Sequence, residues 1–147
     1  MVNNEGLLPN DRTHVLKLWG SYRFDFGLTA GTFFSVQSGS PITRYEALFG
    51  GQVAFITPRG TEGRHPTLLD WNVRLQYPIR FRSTRGWNMN VLVDFLHIGN
   101  PQTVGRLDQN ELFDVDGDGT TSPNPTFGEP LAFQEPFTVR LGLAVGF

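Results

Sequence analysis

Residues Phe137 to Phe147, FTVRLGLAVGF, alternate without a break. Phe137, Val139, Leu141, Leu143, Val145 and Phe147 fall on one side of a period-two ladder, and Thr138, Arg140, Gly142, Ala144 and Gly146 on the other. Successive side chains of a strand point to opposite faces, so this stretch is a strand with one apolar face and one small or polar face. Several such strands without helices to cover them require another cover, and the pattern points to lipid.

The same pattern recurs upstream. From His14 to Phe24, Leu16, Leu18, Tyr22 and Phe24 share a face, with Lys17, Trp19, Ser21 and Arg23 opposite. After the turn Asp25-Phe26-Gly27, a second strand carries Leu28, Ala30, Thr32, Phe34 and Val36 on one side, and the short connection makes the two a hairpin. From Leu69 to Phe81 the odd positions are Leu, Trp, Val, Leu, Tyr, Ile and Phe, and the even ones include Asp70, Arg74 and Arg80. That length suits a tilted membrane-crossing strand, whose apolar part needs about 9–11 residues. Pro78 removes a ladder donor and predicts a strand end or bulge. A turn at Ser83–Gly86 leads to a fourth strand, Trp87 to about Ile98, with Trp87, Met89, Val91, Val93 and Phe95 on its apolar face.

Two short connections (25–27 and 82–86) alternate with two long ones (about 38–66 and 99–135), the first long one holding a short strand at Gln52–Ile56. Membrane barrels have short turns on one side, long external loops on the other, and aromatic girdles. Trp71, Tyr77, Phe81, Trp87, Phe95, Phe137 and Phe147 lie near strand ends on the apolar face, as girdle residues do. The expected fold is therefore all-β, an antiparallel up-and-down segment of a transmembrane β-barrel with about five strands. A soluble Greek-key sandwich also alternates faces. It seldom carries this many aromatics on one face with Arg and Asp on the other.

Composition narrows the function. Without cysteine there is no disulfide framework or thiol chemistry. A net charge of −2 with scattered basic residues gives no nucleic-acid footprint. No apolar run reaches the roughly 18 residues of a membrane helix, and the start, MVNNEGLLPNDRTH, lacks the basic and apolar regions of a signal peptide. No nucleophile elbow, phosphate loop or metalloprotease helix is present, so no enzyme is expected. His14, His65 and His97 have no carboxylate or hydroxyl partner at a recognisable spacing.

Lys17, Arg23, Asp70, Arg74, Arg80, Asp94 and Arg140 fall on the polar faces and would line a barrel lumen, paired with one another or with a plug. A charge on the lipid side would cost about 2–4 kcal/mol at mid-membrane, which fixes which face points out. Asp114, Asp116 and Asp118 precede Gly119 in a D-x-D-x-D-G run, the opening of a calcium loop, with Thr120 as a carbonyl ligand. The twelfth position is Pro125 instead of a bidentate Glu, and Glu129 is the nearest acid downstream, so this is a candidate structural ion site and not an EF-hand.

LPNDRTH (8–14), SGSP (38–41), RGTEGR (59–64), LLDWNVRLQY (68–77), VDFLHIGNPQ (93–102) and the Phe-terminated strand resemble, in order, the C-terminal end of TonB-dependent outer-membrane receptors, particularly the Oar-like branch. The chain departs from that pattern at His97, where the family more often has Asn, and at Gly99, where it more often has an aromatic residue. The resemblance implies uptake of a large solute across the outer membrane, gated by a plug and energised through TonB. It also implies that Phe137, Val139, Leu141, Leu143, Val145 and Phe147 are the signal read by the barrel-assembly machinery. Five strands leave two open edges, which lipid does not tolerate. The expectation is thus a C-terminal portion of a larger barrel, with Met1 a truncation or internal start. The alternatives are a small complete outer-membrane barrel acting as an adhesin or structural protein, and a soluble calcium-stabilised β-sandwich.

Overall fold

The computed structural model describes residues 3–80, 88–100, 102–114 and 116–146. The strands are β1 (Val15–Arg23), β2 (Thr29–Gln37), β3 (Tyr45–Leu48), β4 (Gln52–Phe55), β5 (Leu68–Arg80), β6 (Asn88–Leu96), β7 (Val104–Leu107), β8 (Asn110–Phe113), β9 (Ser122–Pro123), β10 (Pro130–Phe133) and β11 (Thr138–Gly146). The fold is all-β, and the described residues contain no α-helix. They form two compact units. A sheet unit comprises residues 15–36, 69–102 and 135–147, and a loop unit comprises 1–14, 37–68 and 103–134.

The sheet unit is one five-stranded meander in the order β1-β2-β5-β6-β11, open at β1 and β11, and the described residues form no closed barrel. Its registers convert the sequence ladders into continuous cross-strand rows. On one face lie Val73, Phe95 and Val139, then Leu75, Val93 and Leu141, then Tyr77, Val91 and Leu143, then Ile79, Met89 and Val145. On the other lie Arg74, Asp94 and Arg140, then Gln76, Leu92 and Gly142, then Pro78, Asn90 and Ala144. Each apolar row is formed by neighbours that stabilise one another across the ladder, yet none is buried. Leu141 and Leu143 are 77% and 70% exposed, and among the described residues Pro41 of the loop unit is the one large apolar side chain that is fully buried.

Aromatic residues flank these rows. At the β1–β2 turn, Tyr22 meets Phe24 edge-on at 4.9 Å, and Phe24 stacks on Phe26 at 5.3 Å. Phe24 N–H donates to Leu28 O and Gly27 N–H to Phe24 O, with Gly27 at φ +102°, so the turn expected at 25–27 forms. Near the start of β5, the Trp71 indole N–H donates to Thr32 Oγ1 at 2.9 Å. Phe81, Trp87, Phe147 and the turn at 83–86 lie outside the described residues.

Pro78 does not end or bulge β5, contrary to expectation: it pairs with Asn90 in unbroken register. The reason is its neighbour on the other side. Pro78 lies beside Gly27, before β2 begins at Thr29, so β5 has no strand partner there to which an N–H would be owed.

The loop unit departs furthest from expectation. Residues 38–66 and 103–134 build two small sheets of their own, β4-β3-β8-β9 and β10-β7. The short strand expected at 52–56 is β4, joined to β3 through a tight turn at Phe49–Gly51. β3 and β8 pair in parallel, an exception to the antiparallel rule elsewhere, with an irregularity between Tyr45 and Glu46. There the Asn110 side chain accepts the Ala47 N–H at 3.0 Å and fills the gap in the ladder. Gly39 of the SGSP segment is required by close approach, since a Cβ would sit 1.6 Å from His65 O.

Candidate functional site

The predicted lumen residues separate into those the sheet brings together and those it leaves apart. Arg74 and Asp94 face each other across β5 and β6 and join through two parallel bonds, Nε to Oδ1 at 2.6 Å and a terminal nitrogen to Oδ2 at 2.9 Å. This is the bidentate fork that makes Arg–carboxylate pairs geometrically specific. Arg140 occupies the same row on β11 and places a second guanidinium beside the one carboxylate. Lys17 and Arg23 stand on β1, apart from this row. Arg80 closes β5, and its side chain lies outside the described residues.

Beside the ion pair the polar face holds a hollow of about 430 Å³, lined by Trp19, Gly31, Phe33, Arg74, Asp94 and Leu96 among others. A Cβ at Gly31 would come into ordinary contact with Gly20 O at 3.9 Å, so the position has room for a small side chain. Trp19 is 76% exposed. Sequence reasoning placed Trp19 among polar-face residues without assigning it a role. Its size among small and charged neighbours was the signal.

Asp70 does not join the Arg74 row. Its carboxylate accepts from Asn72 Nδ2 through Oδ2 at 2.9 Å and meets His97 Nδ1 through Oδ1 at 2.9 Å. The second ring nitrogen of His97 faces Glu135 Oε2 at 3.4 Å. His97 is therefore not isolated, as its sequence spacing implied. Its partners are far away in sequence and brought close by the meander. His65 also has partners: Nδ1 meets Ser40 O at 2.9 Å, while Nε2 accepts the Leu107 N–H at 3.0 Å. Accepting at Nε2 makes this buried ring the neutral tautomer with its proton on Nδ1. His14 is exposed.

Around β8 the loop unit is held by polar groups. Asp108 accepts from the Asn110 N–H at 3.0 Å, from Asn124 Nδ2 at 2.9 Å and from Thr126 Oγ1 at 2.8 Å. Burial opposes the charge on Asp108, but these donors outweigh it and hold the carboxyl below the usual range. Glu111 is likewise held low, chiefly by its hydrogen bonds with the Arg44 guanidinium.

In the candidate calcium segment, Asp114 Oδ1 accepts the Gly117 N–H at 2.8 Å and Asp118 Oδ1 accepts the Thr120 N–H at 2.7 Å. Two of the three carboxylates thus close turns on their own backbone. Asp116 and Thr120 are exposed nearby, and among the described residues no group of three or more His, Cys, Asp or Glu side chains is arranged to hold a metal ion. Of the expected assembly signal, Val139, Leu141, Leu143 and Val145 present an exposed row on edge strand β11, Phe137 precedes it, and Phe147 lies outside the described residues.

A protein from Myxococcus xanthus described as "TonB-dependent transporter Oar" is 30% identical over 117 residues. The chain is similar to a TonB-dependent transporter. The match covers 74% of this chain and 11% of that transporter, so the chain spans about a tenth of the length of the curated relative it matches. No family model matches the chain. No solved structure matches it either.

Proposed function

We propose that this chain forms part of the wall of a TonB-dependent outer-membrane transporter, the C-terminal part of a larger barrel, and serves uptake of a large solute. One observation carries the reading. Four cross-strand rows of Val, Leu, Ile, Met, Phe and Tyr are presented outward by a sheet that buries no hydrophobic side chain among the described residues. In water such a face would be a liability of several hundred Å². Against lipid it is the required surface, and charges confined to the opposite face match a barrel interior.

The edges support a larger assembly. β1 and β11 are each paired on one side only, and a hydrocarbon environment demands partners for their free backbone groups. Further strands of the same receptor would close them. The polar face would then look into the lumen, where a plug meets the Arg74–Asp94–Arg140 row and TonB acts through a segment outside this chain. The exposed β11 row would be read by the barrel-assembly machinery, and the loop unit would stand outside the cell. The role is structural and transporting, with no catalysis of its own.

The test is the native mass and solubility of the polypeptide that carries this sequence. An antibody against residues 102–130 on isolated outer membranes should detect a detergent-extracted species far larger than 16.5 kDa. A membrane band near 16.5 kDa would replace the proposal with a small complete barrel. Recovery without detergent in the soluble fraction would replace it with a sandwich.

A further inference from the structure

We propose that His97, Asp70 and Glu135 form a proton-binding clasp that ties the end of β6 to the chain entering β11 and tightens when the imidazole is charged. His97 stands one residue past β6, at φ +58°. A residue with a side chain seldom adopts that left-handed conformation, and Asn is among the few that do so readily. The backbone there is fixed: His97 N–H donates to Asn72 Oδ1 at 2.9 Å, and Ile98 N–H to Trp71 O at 2.8 Å. The imidazole is thereby held between two carboxylates, Nδ1 at 2.9 Å from Asp70 Oδ1 and Nε2 at 3.4 Å from Glu135 Oε2. Among the described residues, Asp70 on β5 and Glu135 before β11 are the carboxylates within 4 Å of the ring, while Asn72 holds the His97 N–H and Asn100 Nδ2 holds the Glu135 carbonyl.

Two acceptors and one ring decide the charge dependence. The neutral imidazole has one N–H. Given to Asp70, it leaves the Nε2 lone pair pointing at a carboxylate oxygen, which repels it. The imidazolium donates at both nitrogens, so one proton turns the Glu135 contact from repulsive to attractive. Glu135 is also the arm free to leave. Its side chain is 83% exposed against 28% for Asp70, and besides the ring contact the residue is tied by its carbonyl, which accepts from Asn100 Nδ2 at 2.7 Å. The clasp therefore closes when the imidazole is charged and loosens on the Glu135 side when it is neutral.

In chain order, residues 103–134 leave after His97 and return before Glu135, so the clasp joins the two ends of that excursion. Under the receptor reading above, it would couple the root of an external loop to external pH. The clasp itself does not depend on that reading.

The chain has no cysteine, so a single Pro136→Cys substitution takes a nitroxide label next to Glu135. Electron paramagnetic resonance of the full-length protein in its detergent-extracted form then reads the mobility of this segment. Raising the pH from about 5.5 to about 8 should increase the mobile fraction about two- to fivefold, the scale of an exposed ion pair. In the same background His97→Asn keeps a residue suited to the left-handed backbone and removes the charge, and Glu135→Gln removes the acceptor. Both should abolish the pH response without loss of fold. A pH-independent spectrum, or an equal response in His97→Asn, overturns the clasp. Failure of the transporter reading would instead show as labelled protein that needs no detergent, whatever its pH response.

Discussion

The sheet unit and the loop unit reach order by opposite means. In the sheet unit the apolar residues face outward and the fixed interactions lie on the polar face, with Asp94 buried against Arg74. In the loop unit the buried residues are largely polar: Ser40, Thr43, His65, Asn110 and Asn124. Under the proposed transporter role the first is stabilised by the lipid around it, and the second is held by hydrogen bonds among its own backbone and side chains. The physical reason lies in the solvent each requires. A membrane-facing sheet gains nothing from burying apolar groups inside itself, whereas a short-stranded loop assembly has too few apolar residues to form a core and must satisfy its polar groups internally.

This contrast makes the largest predicted effect a directional one. Leu143→Arg places a charge in the middle of the apolar rows and should cost about 2–4 kcal/mol of folding in a bilayer. Its neighbour Ala144→Arg points to the polar face, beside Asn90, and should be tolerated. Folded fraction by heat-modifiable gel mobility separates the two. Equal tolerance of both would remove lipid as the cover of this face.

For the loop unit the corresponding change is polar. Asn124 donates to Asp108 Oδ2 at 2.9 Å and to Asn110 O at 2.6 Å, and is buried. Asn124→Ala takes the side-chain donor from Asn110 O and one of two donors from Asp108 Oδ2, at about 1–3 kcal/mol. Protease cleavage within 103–134 should accelerate, while the sheet unit stays folded. If both units unfold together, their separation as compact units has no energetic meaning.

A smaller effect follows from charge. The carboxyls of Glu111 and Asp108 are held below the usual range in the folded chain, so the unfolded state binds protons more readily than the folded one. Their stabilisation is present in full above the ordinary carboxylate range and is lost as pH falls through the folded values. The loop unit should therefore become protease-sensitive below about pH 4. Glu111→Gln should remove part of that dependence, and an unchanged profile would show that the Arg44–Glu111 pair contributes nothing.

The same contrast explains what could be read from sequence. The five long strands were legible because an alternating period is local: Phe137 to Val145 declares its faces without reference to any other residue. The Arg74–Asp94 pair could be anticipated only as two charges on one face, since the register of β5 against β6 is set by no local pattern. The loop unit left almost no trace. Its strands are mostly four residues long, too short for a period to emerge, and β3 pairs with β8 across a separation that no local pattern encodes. The clasp at His97 was hidden for the same reason, since its partners Asp70 and Glu135 lie far from it in sequence.

The smallest expected effect concerns the acidic turn, and it sharpens the boundary between a motif and a site. Asp114 and Asp118 match the opening of a calcium loop, but each already accepts a backbone N–H that closes its own turn. An Asp that caps its neighbours needs no ion to hold its shape, and the same carboxylate oxygens would have to be released or shared for a metal to bind. Calcium added in excess, or removed by a chelator, should therefore leave the protease pattern of 103–134 nearly unchanged, well below the effect of Asn124→Ala. A protection as large as that effect, lost in Asp116→Asn, would mean that these turns rearrange around an ion. The loop unit would then owe part of its order to calcium instead of to its polar network alone.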